Sequence, residues 1–231
     1  LLCFVDSISH GKRFFNLEVN QFLDDLFSVI HENNHVNDDI CTVLEPNVSL
    51  FRARIANSKI ERESIVSDPA NQLGAVPAKL ASDQRMTPKG ISAFYASSDR
   101  ETCFSELRAI TGDLVISGEF TVNRPLKFLD LRKIEELSKK EYHPFESNYL
   151  EKSHKSLFLN RLMFLLSKPA SKRKNSNYLE TQVIFEYLRV NFGSDISGLI
   201  FSSVQTGFNG LNVVLFPEKS DVNSFTYNKE R

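Results

Sequence analysis

84-QRMTPKGISAFYASSDRETCFSELRA-109 holds a turn, a short apolar run and a helix signal in immediate succession. Pro88 and Gly90 punctuate the turn. The run 91-ISAFYA-96 reads as a short strand. Ser98 and Glu101 then form an S-x-x-E capping box, which predicts a helix through about Ile110. Arg85, Tyr95 and Glu106 fall 10 and 11 residues apart, one on each of these pieces. On the helix, Cys103, Phe104 and Leu107 share an apolar face, and Glu106 lies at its border. A helix-surface glutamate is ordinarily just solvated. One at the edge of a buried stripe can instead point across a sheet toward a cleft. Arg85, in the loop before the strand, can reach the same cleft, and its planar fork suits the paired oxygens of a phosphate or carboxylate.

Outward from this stretch, the pattern predicts a mixed domain. Phe15, Val19, Phe22, Leu23, Leu26, Val29 and Ile30 recur at helical spacing, giving an amphipathic helix over 14–32. Pro46 lies in the polar stretch that follows, which sets a boundary near residue 45. The expected organisation is an N-terminal helical segment (1–45), a main domain (46–218) and a polar tail (219–231). Strands are predicted at 48–56, 91–96, 114–122, 126–131, 198–203 and 211–216. Residues 57–90, with three prolines and two glycines, read mostly as loop. Helices are predicted at about 147–166 and 179–191. His154 falls on the apolar face of the first of these and reads as a core histidine. The basic run 168-KPASKRKN-175 reads as a solvated loop. Strands and helices do not strictly alternate, so the expected class is α+β rather than a doubly wound sheet.

Composition narrows the function. The 231 residues are 41% hydrophobic and 25% charged, which is globular composition with enough chain for a sizeable core. The net charge of −1 gives no global field for nucleic acid or an anionic membrane. No apolar run approaches the roughly 20 residues that span a bilayer. The opening LLCFVDSISHGKRFF lacks the pattern of a secretory signal, and since the first residue is not Met, further chain upstream is left open. Cys3, Cys41 and Cys103 are odd in number and widely spaced, which fits a reducing, cytoplasmic setting better than a disulfide framework. The motifs G-x-S-x-G, G-x-x-x-x-G-K and G-x-G-x-x-G are absent. None of the five histidines is read as a metal ligand.

In order along the chain, LFRARI, QRMTPKGISAFYASSDRETCFSELRA, GEFTVNRPLKFLDL, NYLETQVIFEYLR and GLIFSSVQTGFNGLNVVLF resemble the RES domain family, bacterial toxin-type proteins named for Arg, Glu and Ser. The resemblance runs from about residue 48 to 216. It implies that the family's arginine, tyrosine and glutamate are Arg85, Tyr95 and Glu106. An earlier family arginine falls on Arg52, and the serine falls on Ser203, with Ser202 one register step away. It also implies an ADP-ribosyltransferase-like sheet with flanking helices, and consumption of NAD, as substrate, at the nicotinamide–ribose bond. No metal and no further cofactor are required.

The residue types suit that chemistry. Breaking an N-glycosidic bond develops positive charge on the ribose, which a carboxylate such as Glu106 stabilises. Tyr95 can stack on a flat ring. Arg85 and Arg52 can neutralise a pyrophosphate, Ser203 can bond a ribose hydroxyl, and Gln182 can line the site. Plainer roles remain open: Arg52 and Arg54 alternate with Phe51 and Ala53 as surface charges would, and strand-end serines are common. The acceptor is water or phosphate in the first reading and a protein in the second. A silent nucleotide- or partner-binding module is the alternative from another class. An antitoxin is a possible protein partner, and no direct contact with nucleic acid or membrane is expected.

Overall fold

A computed structural model of the chain describes residues 16–28, 30–32, 35–138 and 178–222, and between the last two 143, 145, 149–150, 152–154, 156–157 and 159–160. The protein is α+β. Among the described residues a seven-stranded mixed sheet is flanked by helices, with a helical segment ahead of it.

Helix α1 (Leu17–Phe27) opens the described chain, capped by Asn16, whose side chain accepts from the Val19 N–H. A two-stranded hairpin follows, β1 (His31–Glu32) with β2 (His35–Val36). Then come β3 (Cys41–Leu44), β4 (Ser49–Ala56), helices α2 (Lys59–Ser67) and α3 (Pro69–Leu73), and β5 (Phe94–Ser97). Next are α4 (Arg100–Leu107), β6 (Leu114–Thr121), β7 (Leu126–Asp130) and α5 (Leu131–Ser138). The described chain closes with α6 (Leu179–Phe192), β8 (Gly198–Ser202) and β9 (Leu211–Leu215).

The sheet order is β3-β7-β8-β9-β5-β4-β6. β7 and β8 run parallel, and the other neighbours are antiparallel. Pairing is uneven. β4 matches β6 along eight residue pairs, from Ser49–Thr121 to Ala56–Leu114, but meets β5 through Phe51–Ser97 alone. The sheet therefore has a seam between β4 and β5. The far leaf, β4 and β6, carries its own small core of Ala56, Ile65 and Leu73 with Ile116 and Phe120. Gly118 lies against that core: a Cβ there would come within 2.8 Å of Leu73 Cδ1, so the leucine tip would have to move aside.

The main core lies on the face covered by α1 and α6. Leu23, Leu26 and Phe27 pack with Ile184, Phe185, Leu188 and Phe192 over Leu129, Leu199, Phe201 and Val214. The opposite face buries Leu50, Phe94, Phe128, Ile200 and Val213. The runs GLIFS and LNVVL are apolar on both faces because both faces of these central strands are covered.

Several expectations shift. β3 pairs with β7 along all four residues, so the sheet starts N-terminal to the boundary expected at residue 45. A four-residue edge strand is too short for periodicity to declare it. Residues 57–90 are loop mainly in their second half, since α2 and α3 fill much of the first, and α5 lies where no helix is expected. The predicted helix at 147–166 is helical at each described position from 149 to 160, but its exposed side is not the expected one. Leu150 and Leu157 are largely exposed, and His154 is exposed rather than core, whereas Leu159 is buried. The run 168–175 lies outside the described residues.

Candidate active site

Glu106 sits in the last turn of α4, and the sequence around α4 explains its placement. The helix is capped by Asp99, whose carboxylate accepts from the Thr102 N–H (2.7 Å) and hydroxyl (2.8 Å). The cap is thus one residue later than the expected Ser98, which donates to Asp99 Oδ2 instead (3.0 Å). Aspartate is at least as good a cap as serine, and it engages two donors here. Opposite, the backbone of Gly210 approaches the helix so closely that a Cβ would lie 1.8 Å from Thr102 Oγ1. That approach brings α4 against the ends of β8 and β9.

Two donors then converge on one oxygen. Ser203 Oγ donates to Glu106 Oε1 (2.6 Å), and Asn212 Nδ2 donates to the same atom (2.7 Å). Asn212 is oriented in turn by Ser97, whose hydroxyl donates to its Oδ1 (3.0 Å). Ser97, Ser203 and Asn212 are all buried. A carboxylate in the last turn of a helix faces the negative end of the macrodipole, so these donors offset an unfavourable position. Both fall on Oε1 and leave Oε2 out of this network. Of the two serines, it is Ser203 that meets Glu106; Ser202 belongs to β8 and pairs with Leu211. Asn212 was not anticipated. The available signal was a lone amide inside the apolar run LNVVLF, where a buried polar group needs partners.

Tyr95 stands on β5 two residues before Ser97, on the same face of the strand. Its oxygen accepts from the Met86 N–H (2.9 Å). Burial pushes its phenol up to about 12, so the ring is neutral at physiological pH. Arg85 lies in the loop that leads to β5. Burial pulls its guanidinium down from the ordinary arginine value, and the nearby Glu106 carboxylate opposes that shift. Arg85, Tyr95, Glu106 and Ser203 therefore gather at the C-terminal end of α4 and the adjoining strands.

Two further expected residues are engaged within the protein. Arg52 Nη1 donates to the Gly74 carbonyl (2.7 Å), and its guanidinium lies 5.3 Å from the centre of the Phe94 ring. It pairs with Gly118 on β6, one residue past the Phe51–Ser97 pair at the seam. Strand alternation sets Arg52 and Phe94 on one face and Tyr95 on the other. Burial pulls Arg52 down to about 10, which still leaves it charged at neutral pH. Arg54 is a surface charge, paired with Glu61 at 2.7 Å. Gln182 uses its amide nitrogen on the protein itself, donating to Asp83 Oδ1 and the Gln84 carbonyl, both at 2.8 Å.

A further pattern, 31-HENNH-35, has the letters of the H-E-x-x-H zinc motif and is missing from the expectations above. That motif needs both histidines on one face of a helix. Here they stand on the two strands of the β1–β2 hairpin, with His31 paired to Val36 and Glu32 to His35. The His31 ring packs against Phe192, centres 5.0 Å apart. Among the described residues no cluster of three or more His, Cys, Asp or Glu is placed to hold a metal ion.

A family model of the RES domain matches residues 50–228. The chain belongs to the RES domain family. The match begins inside β4 and runs past the expected end at 218 into the polar tail, enclosing the whole Glu106 cluster. RES domains are associated with NAD-related toxin function and linked to NAD binding. No curated protein and no solved structure matches this chain at a significant level. Among the described residues no helix is long and apolar enough to cross a membrane.

Proposed function

We propose that this RES domain protein consumes NAD by cleaving its nicotinamide–ribose bond, with water or phosphate as acceptor. The observation that carries the reading is the Glu106 carboxylate, held through one oxygen by Ser203 and Asn212, with the Arg85 guanidinium near enough to feel its charge. As the glycosidic bond breaks, positive charge builds on the ribose. A preoriented carboxylate stabilises that charge without having to reorganise. Arg85 neutralises the pyrophosphate, and Tyr95 offers a flat face to a ring of the dinucleotide. The seam between β4 and β5 accords with an ADP-ribosyltransferase-like sheet that opens to admit a ligand.

The test is incubation of the purified protein with NAD, with and without phosphate, followed by identification of the products. The proposal expects free nicotinamide in both cases. The partner product is ADP-ribose with water, and a phosphorylated ADP-ribose where phosphate is the acceptor. Expression in a bacterial host is expected to lower cellular NAD and stop growth. Intact NAD after prolonged incubation contradicts the proposal.

A further inference from the structure

Arg85 belongs to no helix or strand, so something outside its own segment must fix it. The bonds of residues 83–87 show what does. Thr181 Oγ1 donates to the Arg85 carbonyl (2.5 Å). Gln182 Nε2 donates to the Gln84 carbonyl and to Asp83 Oδ1. Two neighbouring residues in the first turn of α6 thus reach three consecutive residues of the loop. On the other side Met86 N–H is tied to Tyr95, and Gln84 N–H to the Thr87 carbonyl (2.8 Å).

The chemistry of these donors is specific. A primary amide nitrogen carries two hydrogens, and the two bonds from Gln182 use both. A hydroxyl carries one, and Thr181 Oγ1 is nearer to Arg85 O than to its own helix at Tyr178 O (2.9 Å). Thr181 is buried, so an unmade bond there would not be repaired by solvent. Helix α6 is itself anchored in the main core through Ile184, Phe185 and Leu188. The clamp therefore joins the loop to a helix buried in the main core.

We propose that Thr181 and Gln182 are positioning residues that hold the backbone of Gln84 and Arg85, with Gln182 also gripping the Asp83 side chain, so that the Arg85 side chain stands near Glu106. Gln182 serves the site through the loop and not by touching the dinucleotide. This rests on the NAD reading given above for what Arg85 binds, but the clamp can be read without NAD.

Thr181→Val, Thr181→Ser and Gln182→Ala separate the possibilities. In the NAD-free protein, the amides of Gln84 and Met86 should exchange about tenfold faster in Thr181→Val and Gln182→Ala, the ratio expected for one lost hydrogen bond. Exchange within α6 should not change. With NAD, the same two variants should raise KM about tenfold and hold kcat within about twofold, as when ground-state binding alone is lost. Thr181→Ser keeps the hydroxyl and should restore both readouts. A raised KM in Gln182→Ala with unchanged loop exchange overturns the proposal, because Gln182 then touches NAD directly. Faster exchange throughout α6 overturns it as well, since the effect is then general unfolding. If the wild type leaves NAD intact, the NAD reading fails, and the exchange data alone decide the clamp.

Discussion

Glu106 and Arg85 reach one site from opposite kinds of backbone. Glu106 rides on a regular helix, and its own carboxylate is gripped by Ser203 and Asn212 from the ends of two strands. Arg85 rides on a loop, and bonds from Thr181, Gln182 and Tyr95 act on the backbone of residues 84–86. The carboxylate is therefore held at one of its own oxygens, while the loop that carries the arginine is held at its backbone. That division suits two tasks. Stabilising a charge that appears only in the transition state demands a preset group. Binding a pyrophosphate demands the right position and tolerates adjustment of a long side chain.

Substitutions sharpen or break the contrast. Glu106→Gln removes the charge and keeps the acceptor that Ser203 and Asn212 bond, so kcat should fall about a hundredfold, or ~3 kcal/mol. Steady-state turnover of NAD checks this. Arg85→Ala should act on the other parameter, raising KM about thirtyfold through one lost charge-assisted contact and leaving kcat nearly intact. If the two variants change the same parameter, the division of labour is wrong. Asn212→Ala should lower kcat about tenfold and the melting temperature by about 3 °C, since it frees Glu106 Oε1 from one donor and removes a buried bond. Equal activity with a lowered melting point would make Asn212 purely structural.

Tyr95, which ties Met86 to β5, gives the effect that depends on pH and appears only above pH 10. Its folded phenol titrates near 12 against an ordinary value of 10.0. Between those values the unfolded chain has lost the proton and the folded chain keeps it, so stability falls as pH rises, by about 1.4 kcal/mol per pH unit. Below pH 10 the term is fully present. Cys41 and Cys103, raised by burial from 9.0 to about 11, begin the same decline earlier. Denaturant unfolding of Tyr95→Phe should show a shallower loss between pH 10 and 12, and an unchanged slope would mean that the phenol is not buried in solution.

How much of this was legible in the sequence depends on the kind of signal. The quoted stretch announced turn, strand and helix correctly, because each is local chemistry. The S-x-x-E pattern occurs at Ser98, where Asp99 is the cap instead, and also at Ser58, whose hydroxyl accepts from the Glu61 N–H and opens α2. Prolines and glycines in 57–90 outweighed that signal, although Pro69 opens α3 at a position where proline is welcome. Ser203 over Ser202 was a matter of strand register, which a sequence does not state. Arg52 shows the same limit. Its residue type suits a phosphate, while its bond to the Gly74 carbonyl and its place beside the Phe94 ring follow from a pairing with Gly118 that lies 66 positions away in the chain. HENNH shows the converse, since the two histidines of letters that spell a helix motif stand on paired antiparallel strands.

The central claim is that the Glu106 charge serves the chemical step and not the holding of NAD. The direct measurement is NAD affinity of Glu106→Gln by calorimetry, with nicotinamide release followed in the same sample. The account predicts a dissociation constant within about twofold of the wild type alongside the hundredfold slower release. Wild-type release from the glutamine variant, or loss of NAD binding with it, would contradict the account.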